Sequence, residues 1–125
     1  AVEFFQNGAL TDAEPLLRKI LRLEPGHFDA LHLLGYIKGI QGHHGDALSF
    51  LKRAARISPA DPELLLNTGQ ALHETGDYQE ALANFRKVTQ LQADSFAAWF
   101  ACGKSLQDLK RYGEAVESAI KGRSS

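Results

Sequence analysis

The sequence repeats itself with a step of 34 residues. Glycines fall at Gly8, Gly42 and Gly76, and a second set falls at Gly35, Gly69 and Gly103. Alanines hold the same spacing at Ala13, Ala47, Ala81 and Ala115. Pro25 and Pro59 share it, as do Tyr78 and Tyr112. Leu17, Leu51 and Phe85 keep register as large apolar residues, with Ala119 as the smaller fourth member. Gly and Ala are common, so one coincidence would carry no weight. Several independent ladders with one step define a tandem array, in which each unit buries its oily side against the next.

Within a unit the apolar pattern is helical. Leu31, Leu34, Gly35 and Lys38 share one face, and so do Leu65, Thr68, Gly69 and Leu72, and Trp99, Cys102, Gly103 and Leu106. The i, i+3, i+4, i+7 spacing is one stripe of an α-helix. A turn is predicted at Gly42–Gly45, at Thr75–Asp77 and at Lys110–Arg111, followed by a second stripe such as Ala47, Phe50, Leu51 and Ala54. The punctuation agrees. Asp77 with Glu80, and Thr11 with Glu14, read as capping boxes. Asp61-Pro62 reads as an N-cap before a first-turn proline. Gly76 suits a left-handed helix end, and Pro25 and Pro59 stop the second helices. Pro15 predicts a slight irregularity in its helix and no break.

This pattern resembles the tetratricopeptide repeat family. The likeness is carried by Leu31, Leu34, Gly35, Ala47, Leu51, Ala54 and Pro59 in one unit, and by Leu65, Gly69, Leu72, Gly76, Tyr78, Ala81 and Phe85 in the next. Trp99, Gly103, Leu106, Tyr112 and Ala115 carry it in the third, and Gly8, Ala13, Leu17 and Pro25 in a partial first unit. Lys38, Ala93, Lys110 and Gly122 depart from the pattern. The resemblance implies an all-α, right-handed superhelical solenoid of antiparallel helix pairs, about three and a half repeats long. The expected division of residues 1–125 is a partial repeat at 1–27, repeats at 28–61 and 62–95, and a final repeat at 96–125 without a capping helix. Ala47, Ala81 and Ala115 should let paired helices approach closely, with Gly35, Gly69 and Gly103 opposite them.

The concave face of such a solenoid is lined by the first helix of each repeat. Equivalent positions form rows: His32, Leu66 and Phe100; Tyr36, Gln70 and Lys104; Ile40, Glu74 and Asp108; Gly39, His73 and Gln107. Asn67 stands beside the first row, and Phe5 should join the fourth. Aromatic anchors among hydrogen-bonding groups suit an extended peptide or a partner domain. Family members that clamp the C-terminal carboxylate of chaperones use Lys and Asn on successive first helices. Here only Lys104 is basic at the matching places, so that clamp is not supported. The inner asparagine ladder of O-GlcNAc transferases is reduced to Asn67, between Leu33 and Ala101.

Other chemistries find no footing. With 14 Lys and Arg against 15 Asp and Glu, the net charge is −1, which argues against nucleic-acid binding by bulk electrostatics. A pentatricopeptide reading needs a different step and a basic groove. No apolar run approaches the roughly 20 residues that span a bilayer, and no secretory signal opens the chain. The five histidines lack metal-ligand spacing: His43 and His44 diverge in a turn, and His27, His32 and His73 stand apart. The single Cys102 lies on an apolar stripe and reads as core. No nucleophile motif or nucleotide-binding loop occurs. We therefore expect a cytoplasmic, non-enzymatic interaction scaffold with no cofactor, binding a protein or peptide partner. The alternative is a substrate-docking or dimerisation region of a larger enzyme, such as a bacterial glycosyltransferase-like protein. The absence of Met predicts a piece of something longer. The uncovered Phe4, Phe5, Val116, Ala119 and Ile120 predict homo-oligomers through the array ends.

Overall fold

The computed structural model describes the backbone of residues 2–124 and the side chains of residues 12–120. The described residues form six helices: α1 (Val2–Leu23), α2 (Phe28–Ile40), α3 (His44–Ile57), α4 (Pro62–Glu74), α5 (Tyr78–Leu91) and α6 (Phe96–Ser124). Each packs on the next in chain order, and α2 also touches α4. This is an all-α solenoid built from the hairpins α2–α3 and α4–α5, with α1 and α6 at its two ends.

Local chemistry sets the helix ends. Asp61 accepts the amide of Leu64 at 2.9 Å, with Pro62 as the first helical residue of α4. His27 Nδ1 accepts from Ala30 and starts α2 in the same way. Both hairpin turns are Schellman motifs. In the first, His43 N–H donates to the Lys38 carbonyl and Gly42 N–H to that of Gly39. In the second, Asp77 N–H donates to Leu72 and Gly76 N–H to His73. Gly42 and Gly76 sit at φ of 82° and 87°, a conformation that costs other residues roughly 1–2 kcal/mol. Asp77 follows as N-cap of α5, but its side chain makes no capping bond, so the expected capping box there does not form.

The core bears out the small-residue logic in the two central hairpins, and not for Gly103 and Ala115, which are exposed. Ala47, Ala54, Ala81 and Val88 are fully buried. A Cβ placed on Gly35 would lie 2.6 Å from Leu51 Cγ and 3.3 Å from the Ala47 carbonyl oxygen. One placed on Gly69 would strike the Phe85 ring. Leu31, Ala47, Leu51, Ala54, Leu64 and Ala71 form one cluster, and Leu72, Ala81, Leu82, Phe85 and Cys102 form the next. Cys102 is therefore core, and burial pushes its thiol pKa up.

Both ends depart from the sequence expectation. No turn forms at Gly8: α1 runs unbroken from Val2, with Pro15 inside it. Thr11 consequently does not start a helix. Glu14 instead pairs with Arg18 at 3.3 Å and with Lys38 of α2 at 3.2 Å. Lys38, a departure from the repeat pattern, thus ties α2 to α1. No turn forms at Lys110–Arg111 either, and α6 continues straight to Ser124. Lys110 stands where Gly42 and Gly76 make their turns, and a lysine meets the left-handed penalty that glycine avoids. Extending an existing helix gains one hydrogen bond per residue, so the chain extends. As a result Ala115 and Val116 remain exposed. Phe4 and Phe5 lie outside the residues whose side chains are described.

Candidate functional site

The first helices α2, α4 and the N-terminal half of α6 stand side by side along one face. Between them lies a trough of about 490 Å³. Tyr36 and Ile40 enter it from α2; Asn67, Gln70, His73 and Glu74 from α4; Phe100 and Lys104 from α6. Gly35, Ala47, Leu51 and Phe85, from the two hairpin interiors, also border it. Tyr36, Ile40 and Phe100 are exposed, Phe100 by 65%. Such apolar exposure beside amide and charged groups gives the trough anchors and hydrogen-bonding sites together.

Two polar pairs bridge neighbouring first helices. Asn67 Nδ2 donates to His32 Nε2 at 2.8 Å, linking α4 to α2. His73 Nε2 meets Asp108 Oδ2 at 2.6 Å, linking α4 to α6. The Tyr78 ring packs on His73, with centroids 4.9 Å apart. Each link joins residues 35 apart, so both span from one first helix to the next, although they occupy different positions of the repeat.

Most of the residues expected on the concave face therefore come together, with four differences, the first being that Gln107 borders another hollow on α6 and not the trough. His32 and Asp108 do not line the trough themselves and reach it only through Asn67 and His73. Leu66 is partly buried and packs on two core clusters. Phe5 lies outside the described side chains. The sequence reading missed His44, which opens α3 and borders the trough. Its Nδ1 is buried and meets no hydrogen-bond partner among the described residues. His44 stands 34 residues before Tyr78, so the ladder that contains Tyr78 and Tyr112 also contained it. Ser105 Oγ, at the trough floor, is likewise buried without a partner.

Among the described residues, no three His, Cys, Asp or Glu side chains gather as metal ligands would. No described helix is long and apolar enough to cross a membrane.

Comparisons with known proteins agree with this architecture. The family profile described as "Anaphase-promoting complex, cyclosome, subunit 3" matches residues 41–121, and that described as "Tetratricopeptide repeat" matches residues 1–62. The mouse Protein O-mannosyl-transferase TMTC1 is 30% identical over 100 residues, covering 77% of this chain and 11% of its own length. The chain thus spans only a small part of the curated relatives it matches. The first TPR of Spaghetti (RPAP3), solved bound to an HSP90 peptide, superposes with a TM-score of 0.79 at 18% identity, over 86% of each chain. At that identity the likeness concerns the fold. A Thermobaculum terrenum O-GlcNAc transferase superposes with a TM-score of 0.74 at 26% identity, covering 83% of this chain and 20% of its own.

Proposed function

The chain belongs to the tetratricopeptide repeat family, and from that premise we propose that its concave trough binds an extended peptide segment of a partner protein without catalysis. The observation that carries this reading is the alternation of exposed Tyr36, Ile40 and Phe100 with Asn67, Gln70, His73, Glu74 and Lys104 along one continuous hollow. Apolar pockets supply affinity, and the amides and charges fix register. His32 and Asp108 act indirectly, by orienting Asn67 and His73. Leu66 supports the wall from behind. Lys104 and Glu74 offer one charge of each sign, so the trough does not select a strongly charged ligand.

The test begins with a pull-down by the intact chain and identification of the captured protein. Tyr36→Ala combined with Gln70→Ala should then weaken binding at least tenfold and leave the melting temperature nearly unchanged, since both side chains are exposed. Unaltered affinity would refute the trough as the site.

The similarity to TMTC1 and to an O-GlcNAc transferase supports a second reading. Here the array is part of a larger glycosyltransferase and presents the acceptor polypeptide to it. The full-length reading frame tests this directly, because it either continues into a transferase domain or does not.

A further inference from the structure

The first two hairpins show what a first helix presents to its partner. Leu31, Leu65 and Leu72, on the inner faces of α2 and α4, are 1%, 7% and 2% exposed. Their counterparts on α6 are Trp99 for the first two and Leu106 for the third, and these are 56% and 47% exposed. Gly35 and Gly69 are filled by Leu51 and Phe85, whereas a Cβ on Gly103 would meet nothing within 4 Å. A hollow of about 570 Å³ lies there, bordered by Trp99, Phe100, Gly103, Lys104 and Gln107. The straight course of α6 carries residues 112–120 away from this face and leaves it open.

We propose that this face of α6, which adjoins the concave trough along Phe100 and Lys104 and extends beyond it over Trp99 and Gly103, is a docking seat for one amphipathic helix of a partner protein. The helix would lie antiparallel to α6 and carry a small residue followed four positions later by a large apolar one.

The two occupied seats in the same molecule specify the occupant. α3 brings Ala47 and Leu51 to its seat, and α5 brings Ala81 and Phe85. The small residue permits close approach, and the large one fills the space over the glycine. The chain's own counterpart is Ala115 and Ala119, and Ala119 is too small to fill the hollow. A second copy cannot offer α3 or α5, because Ala47, Leu51, Ala81 and Phe85 are already buried. Lys104, which is exposed and borders the hollow, favours acidic residues on the incoming helix's flank, and the exposed Lys110 lies two turns beyond Gly103 on the same helix.

Trp99 is the only tryptophan and stands in the seat, so it reports occupancy. The probe is a side-chain-stapled helical peptide with the sequence of α5, Tyr78–Leu91, which contains no tryptophan. Titration should give a saturable blue shift of Trp99 emission and protect it from acrylamide quenching. The same peptide with Phe85→Ala should bind at least tenfold more weakly. Gly103→Leu in the protein should abolish the shift while the thermal melt stays intact. The proposal is overturned by no Trp99 response at millimolar peptide, or by a response that survives Gly103→Leu. It is equally overturned if Trp99 in the free chain already resists acrylamide, which would mean that residues 111–120 fold back and fill the seat themselves.

Discussion

Replacing each of the three equivalent glycines with alanine should give opposite signs of stability change. In a helix interior, Gly→Ala gains about 1 kcal/mol from propensity alone. At Gly103 nothing lies within 4 Å of the new methyl, so the gain should appear in full, as a rise of about 3–6 °C in melting temperature for a chain of this size. At Gly35 the methyl meets Leu51 at 2.6 Å, and Leu51 is only 1% exposed and has little room to retreat. Overpacking of this kind costs about 1–3 kcal/mol. Set against the propensity gain, Gly35→Ala should destabilise by roughly 0–2 kcal/mol. Gly69→Ala should lie at the upper end of that range, because its obstacle is the rigid Phe85 ring. Urea titrations followed by circular dichroism at 222 nm give all three values on one scale. If Gly103→Ala destabilised as much as Gly69→Ala, the reasoning from the vacant α6 face would be wrong.

Other outcomes are equally specific. The Lys38 ammonium, with help from Arg18, holds the Glu14 carboxyl below the ordinary value of 4.5. The pair's contribution to stability is therefore complete above that value and is lost as the pH falls through the depressed one. Glu14→Gln should lower stability at neutral pH and flatten the acid limb of a stability–pH curve; parallel curves would refute this. Asp61→Ala removes the cap of α4 and should cost about 1 kcal/mol in urea denaturation, while Asp77→Ala, whose side chain caps nothing, should cost much less. Cys102, buried and with its thiol pKa raised, should react slowly with a disulfide reagent in the native chain and rapidly in urea. Equal rates in both would place the thiol at the surface.

The repeat step made the central hairpins legible, because each ladder position has one physical task that recurs. Gly42 and Gly76 turn the chain, Ala47 and Ala81 admit the partner helix, and Asp61 caps. The ends were not legible for a physical reason. The pattern through Tyr112 and Ala115 matches a second helix, yet a hairpin also needs a residue at position 110 that tolerates positive φ. Lys110 does not, and the ladder of apolar positions carries no record of that cost. Thr11 before Glu14 has the spacing of a helix start, while the partners of Glu14 are Arg18 and, in the next helix, Lys38. At the trough, the concave rows named about half of the residues that border it, mostly polar and aromatic ones on the first helices. They overlooked His44, because a histidine pair after a glycine looks like solvent-exposed turn.

The succession of first helices α2, α4 and α6 along one face turns the trough into a ruler. Packed helices lie roughly 8–10 Å apart, and an extended polypeptide advances about 3.3 Å per residue. A ligand strand crossing the helices would therefore meet a new one about every third residue, touching Phe100, Gln70 and Tyr36 in succession. Sequences whose bulky side chains recur with that period would be favoured, and a one-residue insertion between anchors would throw the strand out of step with every helix beyond it.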